Sequence, residues 1–496
     1  MSRVFASPQA ALAQLHALGV QASGVADDSR QVRLGDLFVA YPGALSDGRR
    51  FIDQAIAQGA AAVFWQASED FVWNQNWRVP QFSGNNLRAL CGPLAHAVLA
   101  QPSEKMSLIG ITGTNGKTTI SQWLGRAYPK PCAMIGTLGA GFAEMLTETG
   151  FTTPEATTLA RYLADFLDSG ARACALEASS IGIEEGRLDG ARIDVAVFTN
   201  LTRDHLDYHG SMEAYAAAKA ALFSWPRLRL AVINIDDPFG RQLVQKTRAS
   251  KVLSYSQQYV PGESSALIYA ENIAETARGL CFRLCTPNGR ADLETSLLGR
   301  YNLSNLLAVA AVLIDAGLSP DEVAARLAQL SAPVGRLEQI GGYNEPLIVI
   351  DYSHTPDALE SALTALRSIT QARGARLSVI FGCGGDRDRG KRPLMGEIAA
   401  RLADHVVLTS DNPRGEDPQS ILDAIFQSAP HAEICLDRAQ AIRRTVLAAH
   451  PSDVILLAGK GHEAYQEIAG VRRPFLDKNE AEAALAARTA SLGVPA

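Results

Sequence analysis

The 496-residue sequence has no apolar run approaching the roughly 18 to 20 uncharged residues that a membrane-spanning helix needs. Its opening, MSRVFASPQAALAQLHALGV, lacks the basic head and apolar core of a secretion signal. Both absences lead to the expectation of a cytoplasmic protein. The seven cysteines, Cys91, Cys132, Cys174, Cys281, Cys285, Cys383 and Cys435, are odd in number and include no CxxC pair or metal-finger spacing, so reduced, buried thiols are expected. There is no excess of basic residues either: 46 Lys and Arg against 52 Asp and Glu leave a net charge of -6, which argues against a general nucleic-acid binder. Internal repeats and low-complexity tracts are missing, as are any Ser-His-Asp or Cys-His arrangement and the NKxD signature of a GTPase.

What is present is material for two to four domains, 47% of it hydrophobic and 20% charged. Residues 1–100 mix short apolar runs with turns and end in a helix-like stretch near Asn86 to Leu99, as expected of a small α/β domain. From Ser107 the texture changes to strand, glycine loop and helix: SLIGIT, GTNGKTT, then ACALEAS, IDVAVFTN and LAVINID. Such alternation implies a parallel sheet covered on both faces. A helical region is expected from Asn302 through Leu330. Pro333 and Gly335 mark a linker, after which LIVIDYS, LSVIFGCGG, HVVLTSDN and VILLAGKGHE each end in a polar, glycine-containing loop. The expected architecture is therefore α/β with three domains, 1–100, 101–331 and 332–496, the last two built on parallel sheets. Open α/β sheets bind ligands at the carboxyl ends of their strands, so the chemistry is sought in those loops.

The strongest local signal is Gly113, Thr114, Asn115, Gly116, Lys117, Thr118 and Thr119, following an apolar strand and opening a helix. Glycines let backbone N–H groups fold around phosphate oxygens, the helix N-terminus adds partial positive charge, Lys117 reaches the terminal phosphates, and Thr118 can ligate magnesium. ATP with Mg²⁺ is the expected ligand. The general phosphate-loop pattern has glycine six positions before the lysine; Ile111 stands there. Glu177, at the end of ACALEAS, sits where a second metal-directed carboxylate would emerge, although a lone acid at a strand end is more often a cap or a surface charge. The segment FTNLTRDHLDYHG adds His205 and His209 among Asn, Asp and Arg. Lys219, in SMEAYAAAKAALF, would by itself be the polar face of an amphipathic helix. The basic stretch Arg387, Arg389, Lys391 and Arg392 could hold an acidic ligand or simply be a solvated loop.

The compact TGTNGKTT loop resembles that of the Mur ligases and their relatives, the folylpolyglutamate synthases, and spaced motifs extend the resemblance over essentially the whole chain. It implies an ATP-dependent acid–amino-acid ligase of peptidoglycan synthesis. On this resemblance Glu177 and His205 would stand near two magnesium ions, and Lys219 would match a lysine that is carbamylated by CO₂ and then ligates metal. Asn302 would lie near the adenine, and Arg336 and Asp351 would reach the nucleotide from the third domain; Asn305 and His354 are further positions the resemblance singles out. Ser29 and Arg30, with the turn Gly43, Ala44, Leu45 and Ser46, would contact the uridine end of a UDP-linked substrate. Thr152, Thr153, Ser179, Glu185 and Arg187 match positions holding its muramoyl-dipeptide, but Ile181 and Glu185 stand where relatives often carry His and Gln. Arg387, Asp411, Asn412, Pro413, Arg414, Gly459 and Glu463 would form the amino-acid pocket.

Arg414 narrows the expected substrate. A guanidinium grips a carboxylate through paired hydrogen bonds, which suits meso-diaminopimelate with its distal carboxylate better than lysine, which has none. Glu463 would then pair with the distal ammonium. The expected partners are small molecules only, UDP-N-acetylmuramoyl-L-alanyl-D-glutamate and the amino acid, with no nucleic acid or membrane, acting on a monomer. The alternatives are a lysine-adding relative, a folylpolyglutamate synthase-like ligase, and a P-loop switch or motor that hydrolyses ATP without any amino acid.

Overall fold

The computed structural model describes residues 7–43, 46–143, 145–261, 266–276, 279–342 and 344–491. Three sheets carry the sites, and each is built from the apolar runs read above.

The first is a four-stranded parallel sheet in sequential order, Val25–Ala26, Leu37–Ala40, Ala62–Gln66 and Gln81–Gly84. Apolar clusters cover both of its faces, one around Leu37, Val39 and Phe64 and the other around Phe38, Ile52 and Val63. The helix Leu87–Val98 then leads to the second sheet.

That sheet has eleven strands. Leu267–Thr276, Lys251–Ser256, Leu230–Asn234, Val195–Phe198, Ser107–Thr112, Ala173–Glu177 and Cys132–Gly136 run parallel in that spatial order. Antiparallel strands extend both edges, Gly279–Thr286 with Gly289–Thr295 on one side and Gly139–Phe142 with Met145–Thr147 on the other. The sequence reading anticipated the parallel centre but not these hairpins. Helices pack on both faces, Lys117–Ala127 and Arg300–Asp315 with one apolar cluster and Ala156–Asp168 with the other. The strand Ser107–Thr112 lies between Ala173–Glu177 and Val195–Phe198, so the phosphate loop, Glu177 and the segment after Phe198 leave the sheet side by side.

The helical region expected from Asn302 to Leu330 is two helices, Arg300–Asp315 and Pro320–Ala328. Gly317, at φ +95°, turns the chain, and Ser319 and Glu322 form a reciprocal capping box that starts the second helix.

The third sheet has six strands in the order Arg336–Gly341, Leu347–Asp351, Val454–Ala458, Leu377–Phe381, His405–Leu408, Glu433–Ile434, with only the first antiparallel. Four of its strand ends, at Asp351, Phe381, Leu408 and Ala458, release the loops YSHTPD, GCGGDRDRG, TSDNPRG and GKGHE at one edge. Among the described residues no helix is long and apolar enough to cross a membrane.

Candidate functional site

The phosphate loop owes its shape to close approach. Gly113 has φ +148°, and a Cβ there would lie 1.8 Å from the Thr199 hydroxyl. Gly116, at φ +89°, starts the helix Lys117–Ala127, and a Cβ on it would fall 2.5 Å from Asn305 Oδ1. Only glycine fits either position. Asn115 is clamped from three sides: its N–H donates to Asn200 Oδ1 at 2.9 Å, its carbonyl accepts from the Thr199 hydroxyl at 2.6 Å, and its side-chain amide donates to Asp357 Oδ2 at 3.2 Å across to the third sheet's unit. The first N–H groups of the helix have no intrahelical partner and point where an anion would sit. Ile111, in place of the usual glycine, is a fully buried core residue of the strand before the loop.

Lys117 folds back on the loop, donating to the carbonyls of Gly113 and Thr114 at 2.8 Å each. Burial lowers its pKa from the usual lysine value against the opposing charges of Glu177 and Asp204. Glu177 is buried and held on both oxygens. The Thr118 hydroxyl donates to Oε2 at 3.0 Å, the Thr137 hydroxyl to Oε2 at 3.1 Å and the Thr137 N–H to Oε1 at 3.0 Å. A Cβ on Gly136 would strike Oε1 at 2.0 Å, so that glycine makes room for the carboxylate.

These groups line a cavity of about 150 Å³ together with His205, Lys219, Arg336 and His354. Lys219 is 1% exposed; its Nζ lies 4.2 Å from the centre of the Tyr215 ring, and the Tyr215 hydroxyl is 3.2 Å from that of Thr114. Burial, reinforced by the charge of Lys117, pushes the Lys219 ammonium well below its usual value. The shift favours the neutral amine, the nucleophilic form that carbamylation by CO₂ requires. Burial likewise brings His205 down to about 4, leaving its imidazole neutral and able to donate a lone pair.

Asp204 lies between two imidazoles, its Oδ2 3.5 Å from His205 Nε2 and 3.7 Å from His354 Nε2. Burial would raise its pKa, but His354, His205 and Lys391 outweigh that and hold it below the usual carboxylate range. Asp204, His205, Tyr352 and His354 also line a second cavity, of about 290 Å³, so the two spaces adjoin. The far wall of the second is Arg387, Asp411, Asn412, Arg414, Gly459 and Glu463, and its near wall includes Ile181 and Tyr208. Arg414 sits at φ +51°, its backbone bonded to Glu467 and Ala469 and its Nη1 donating to the Gly385 carbonyl at 2.8 Å. Asn412 Nδ2 donates to Glu463 Oε2 at 2.7 Å.

A third cavity, of about 440 Å³, lies in the first unit and is lined by Asp27, Ser29, Arg30, Phe38, Ser46 and Gln54. Ala44 and Leu45 lie outside the described residues. Asp27 accepts from Tyr41 and from Thr157 on the helix Ala156–Asp168, and Arg161 on the same helix pairs with Asp36 at 2.8 Å. This helix follows Thr152 and Thr153, and so joins the third cavity to the phosphate loop. The Thr152 hydroxyl is 3.1 Å from that of Thr137, while Thr153 donates to the Glu177 carbonyl and lies 2.9 Å from the Ser179 hydroxyl. Arg187 donates to the Thr153 carbonyl at 2.9 Å and pairs with Glu185 at 2.5 Å, so here the divergent Glu185 neutralises an arginine.

Other expected positions stand back from the cavities. Thr153, Glu185, Arg187, Asn302, Asp351 and Pro413 line neither of the two adjoining ones. Asn302 is buried and donates to the Leu298 carbonyl, whereas Asn305 abuts the loop at Gly116. Asp351 accepts from the Leu337 N–H at 2.8 Å and from the Ser353 hydroxyl, which fixes the start of the strand that carries Arg336. In the basic stretch, Arg389 and Arg392 are committed to Glu416 at 3.1 and 2.8 Å, while Arg387 and Lys391 both line the amino-acid cavity, Lys391 also donating to the His354 carbonyl at 2.7 Å. Sequence reasoning passed over Thr137, Asp204, Tyr352 and Lys460. Only Asp204 carried a visible signal, a carboxylate beside His205.

No cluster of three or more His, Cys, Asp or Glu able to hold a metal occurs among the described residues. Magnesium here would be held chiefly by oxygen donors, from the Thr118 hydroxyl, Glu177 and the ligand's phosphates, with His205 and Lys219 in the same cavity, and the position of Thr118 against Glu177 at 3.0 Å fits that set. A wider depression of about 640 Å³, around Asp236, Arg241, Gln257 and Arg300, holds none of these groups.

The chain resembles known proteins in sequence and fold. Family models match in three places: Mur ligase family, catalytic domain over residues 21–98; Mur ligase middle domain over 111–313; and Mur ligase, glutamate ligase domain over 335–461. The chain is 48% identical to the UDP-N-acetylmuramoyl-L-alanyl-D-glutamate–2,6-diaminopimelate ligase of Chromobacterium violaceum, covering 98% of this chain and 99% of that one. It is also 48% identical to the ligase of the same name from Pseudomonas aeruginosa, over 93% and 94% of the two chains. A solved structure of a ligase of that name superposes with a TM-score of 0.66 at 38% identity, covering 94% and 95%. The MurF ligase of Thermotoga maritima, in complex with ADP, shares the fold with a TM-score of 0.64 at 19% identity, over 95% and 98%.

Proposed function

Since the chain belongs to the Mur ligase family, we propose that it joins meso-2,6-diaminopimelate to the D-glutamate γ-carboxylate of UDP-N-acetylmuramoyl-L-alanyl-D-glutamate, at the expense of ATP, in peptidoglycan precursor synthesis. The observation that carries this reading is the adjoining pair of cavities. One is floored by the phosphate loop, the other is walled by Arg414 and Glu463, and Asp204, His205, Tyr352 and His354 line both. A carboxylate activated in the first would be presented to an amine held in the second.

A bare carboxylate is a poor acylating agent. In the first step an oxygen of the γ-carboxylate attacks the γ-phosphorus of ATP, ADP leaves, and an acyl phosphate forms. The amine of the amino acid then attacks the acyl carbon, and the tetrahedral intermediate expels phosphate as the amide forms. Lys117, released from the carbonyls of Gly113 and Thr114, neutralises phosphate charge, and Arg336 adds a second cation from the third unit. Arg336 is well placed for this: its Nη2 donates to the Thr118 hydroxyl at 3.2 Å, while its buried Nε has no partner. Glu177, Thr118, His205 and a carbamylated Lys219 would hold magnesium, which when bound supplies charge neutralisation at the transferring phosphate. Thr152 and Ser179 orient the dipeptide end at the loop, with Thr153, Glu185 and Arg187 bracing them. Ser29 and Ser46 receive the uridine end. Arg387 and Arg414 receive the amino acid's carboxylates and Glu463 its distal ammonium, with Asn302 and Asp351 supporting the nucleotide side. Assembly of the site from three units excludes water from the acyl phosphate. The same reading makes the protein a cytoplasmic monomer acting on small molecules, with the three domains divided near residues 100 and 331.

Phosphate release with the UDP-dipeptide present, comparing meso-diaminopimelate, L-lysine and no amino acid, tests the proposal. Release that depends on meso-diaminopimelate supports it. Release indifferent to all three conditions would return the protein to the ATP-hydrolysing switches, and a preference for lysine would remove the role given to Arg414.

A further inference from the structure

The loop after Val454–Ala458 contains a lysine that plays no part in the scheme above. Gly459 and Gly461, at φ +110° and +52°, flank Lys460 and turn its side chain into the protein, where it is 0% exposed. The turn leaves no room for a side chain at Gly459, where a Cβ would meet Asp411 Oδ2 at 2.6 Å. The Lys460 ammonium donates to Glu463 Oε2 at 3.1 Å and to Asn412 Oδ1 at 3.3 Å, stands 3.9 Å from Asp411 Oδ1, and lies 5.7 Å from the centre of the Tyr465 ring. It does not line the cavity that Glu463, Asn412 and Asp411 line.

The arrangement fixes both orientation and charge. Asn412 Oδ1 accepts from Lys460 and from the Glu467 N–H at 2.9 Å, so its amide must turn Nδ2 toward Glu463, to which it donates at 2.7 Å. Glu463 Oε2 therefore has two donors, while Oε1 has only the long contact from the Tyr352 hydroxyl at 3.4 Å and keeps accepting capacity toward the cavity. One buried ammonium between the carboxylates of Asp411 and Glu463 leaves this corner of the wall, apart from Arg387 and Arg414, with one net negative charge. That matches a single incoming ammonium, whereas two uncompensated buried carboxylates would repel each other and splay.

We propose that Lys460 is the positioning residue of the amino-acid pocket, holding Glu463 and Asn412 in the geometry that receives the substrate's distal ammonium. The inference rests on the pocket reading given above. Because lysine shares that ammonium, Lys460 governs capture of either amino acid and leaves the choice between them to Arg414.

The test uses the full chain, with KM for meso-diaminopimelate and for ATP and the thermal midpoint measured for wild type, Lys460→Met, Glu463→Gln and the double variant. Loss of a buried charge-assisted hydrogen bond should raise the KM for the amino acid in Lys460→Met by about 10- to 100-fold while the KM for ATP stays near wild type. Because Lys460 acts through Glu463, adding Lys460→Met to Glu463→Gln should change that KM by less than about twofold. An unchanged KM in Lys460→Met, or an equal rise in both backgrounds, overturns the role of Lys460 while the pocket stands. A Glu463→Gln variant with wild-type dependence on the amino acid overturns the pocket reading and this proposal with it. Should Lys460→Met not fold, Lys460→Gln, which keeps a donor but no charge, gives the same comparison.

Discussion

Arg336 Nη2 lies 3.2 Å from Thr118 Oγ1, although 218 residues separate them in the chain. The contact ties the first strand of the third sheet to the second residue of the phosphate-loop helix. The guanidinium is also stacked 4.5 Å above the Tyr352 ring, which holds it over the loop. An Arg336→Ala variant should lose roughly 100- to 1000-fold in kcat, the cost of deleting one donor aimed at a transferring phosphate. Arg336→Lys should recover only part of this, because an ammonium cannot both stack and fork. Single-turnover formation of ADP, measured without the amino acid, would separate the effect from later steps; a variant of normal rate would remove Arg336 from the reaction.

Lys219 is sealed against Tyr215, and burial favours its neutral amine. Lys219→Ala should abolish most activity, and short carboxylic acids added at high concentration should restore part of it by occupying the space of a carbamate. Mass spectrometry of labile CO₂ adducts is unsuited to this, so rescue kinetics are the measurement. Full activity of the variant without any additive contradicts the role.

At the other end of the site, Arg414 points its guanidinium along Gly385 into the amino-acid cavity. Arg414→Ala should weaken meso-diaminopimelate by about 1.5 to 3 kcal/mol, or roughly 10- to 150-fold in KM, while leaving L-lysine nearly unaffected. The ratio of kcat/KM for the two amino acids is the quantity to follow. If both fall together, the arginine supports the loop rather than choosing the substrate.

Glu416 links the basic stretch to the amino-acid side, and the hydrogen-bonded Arg392 guanidinium pulls its carboxyl down to about 2. A depressed carboxyl contributes stability that is fully present above its unfolded pKa of about 4.3 and is lost as pH falls toward 2. Glu416→Gln should therefore be less stable than wild type at pH 7, and the gap should narrow steadily between pH 4.5 and 2.5. Urea unfolding across that range is the check; a gap independent of pH would show that the ion pair is not its source.

The parts of this protein legible before folding were those made by neighbours in the chain. Strand, glycine turn and helix around Gly113–Thr119 are contiguous, and the sheet centres follow from runs such as VAVF and VILLA that can only be buried on both faces. The hairpins at the edges of the central sheet were missed because strands such as Gly289–Thr295 alternate buried and exposed residues and lack the continuous apolar runs of the central strands, and the capping box at Ser319 and Glu322 was overlooked. The basic stretch was misleading for a different reason. Charge density was visible, but Glu416, which neutralises Arg389 and Arg392, stands 27 and 24 positions away.

The amino acids alone decided which chemical groups exist and which short loops can bend around an anion, because positive-φ glycines and cap residues act over a few bonds. Which of those groups share a cavity was decided only in three dimensions. His205 and His354 face each other across Asp204 because two different sheets present their strand ends to one gap, and Lys460 became an interior cation because Asp411 and Asn412, on the neighbouring loop, meet it beside Glu463 of its own loop. A lysine between two glycines reads as solvent-exposed until its counter-charges arrive, since the cost of burying an ammonium is offset only by partners brought from elsewhere in the fold.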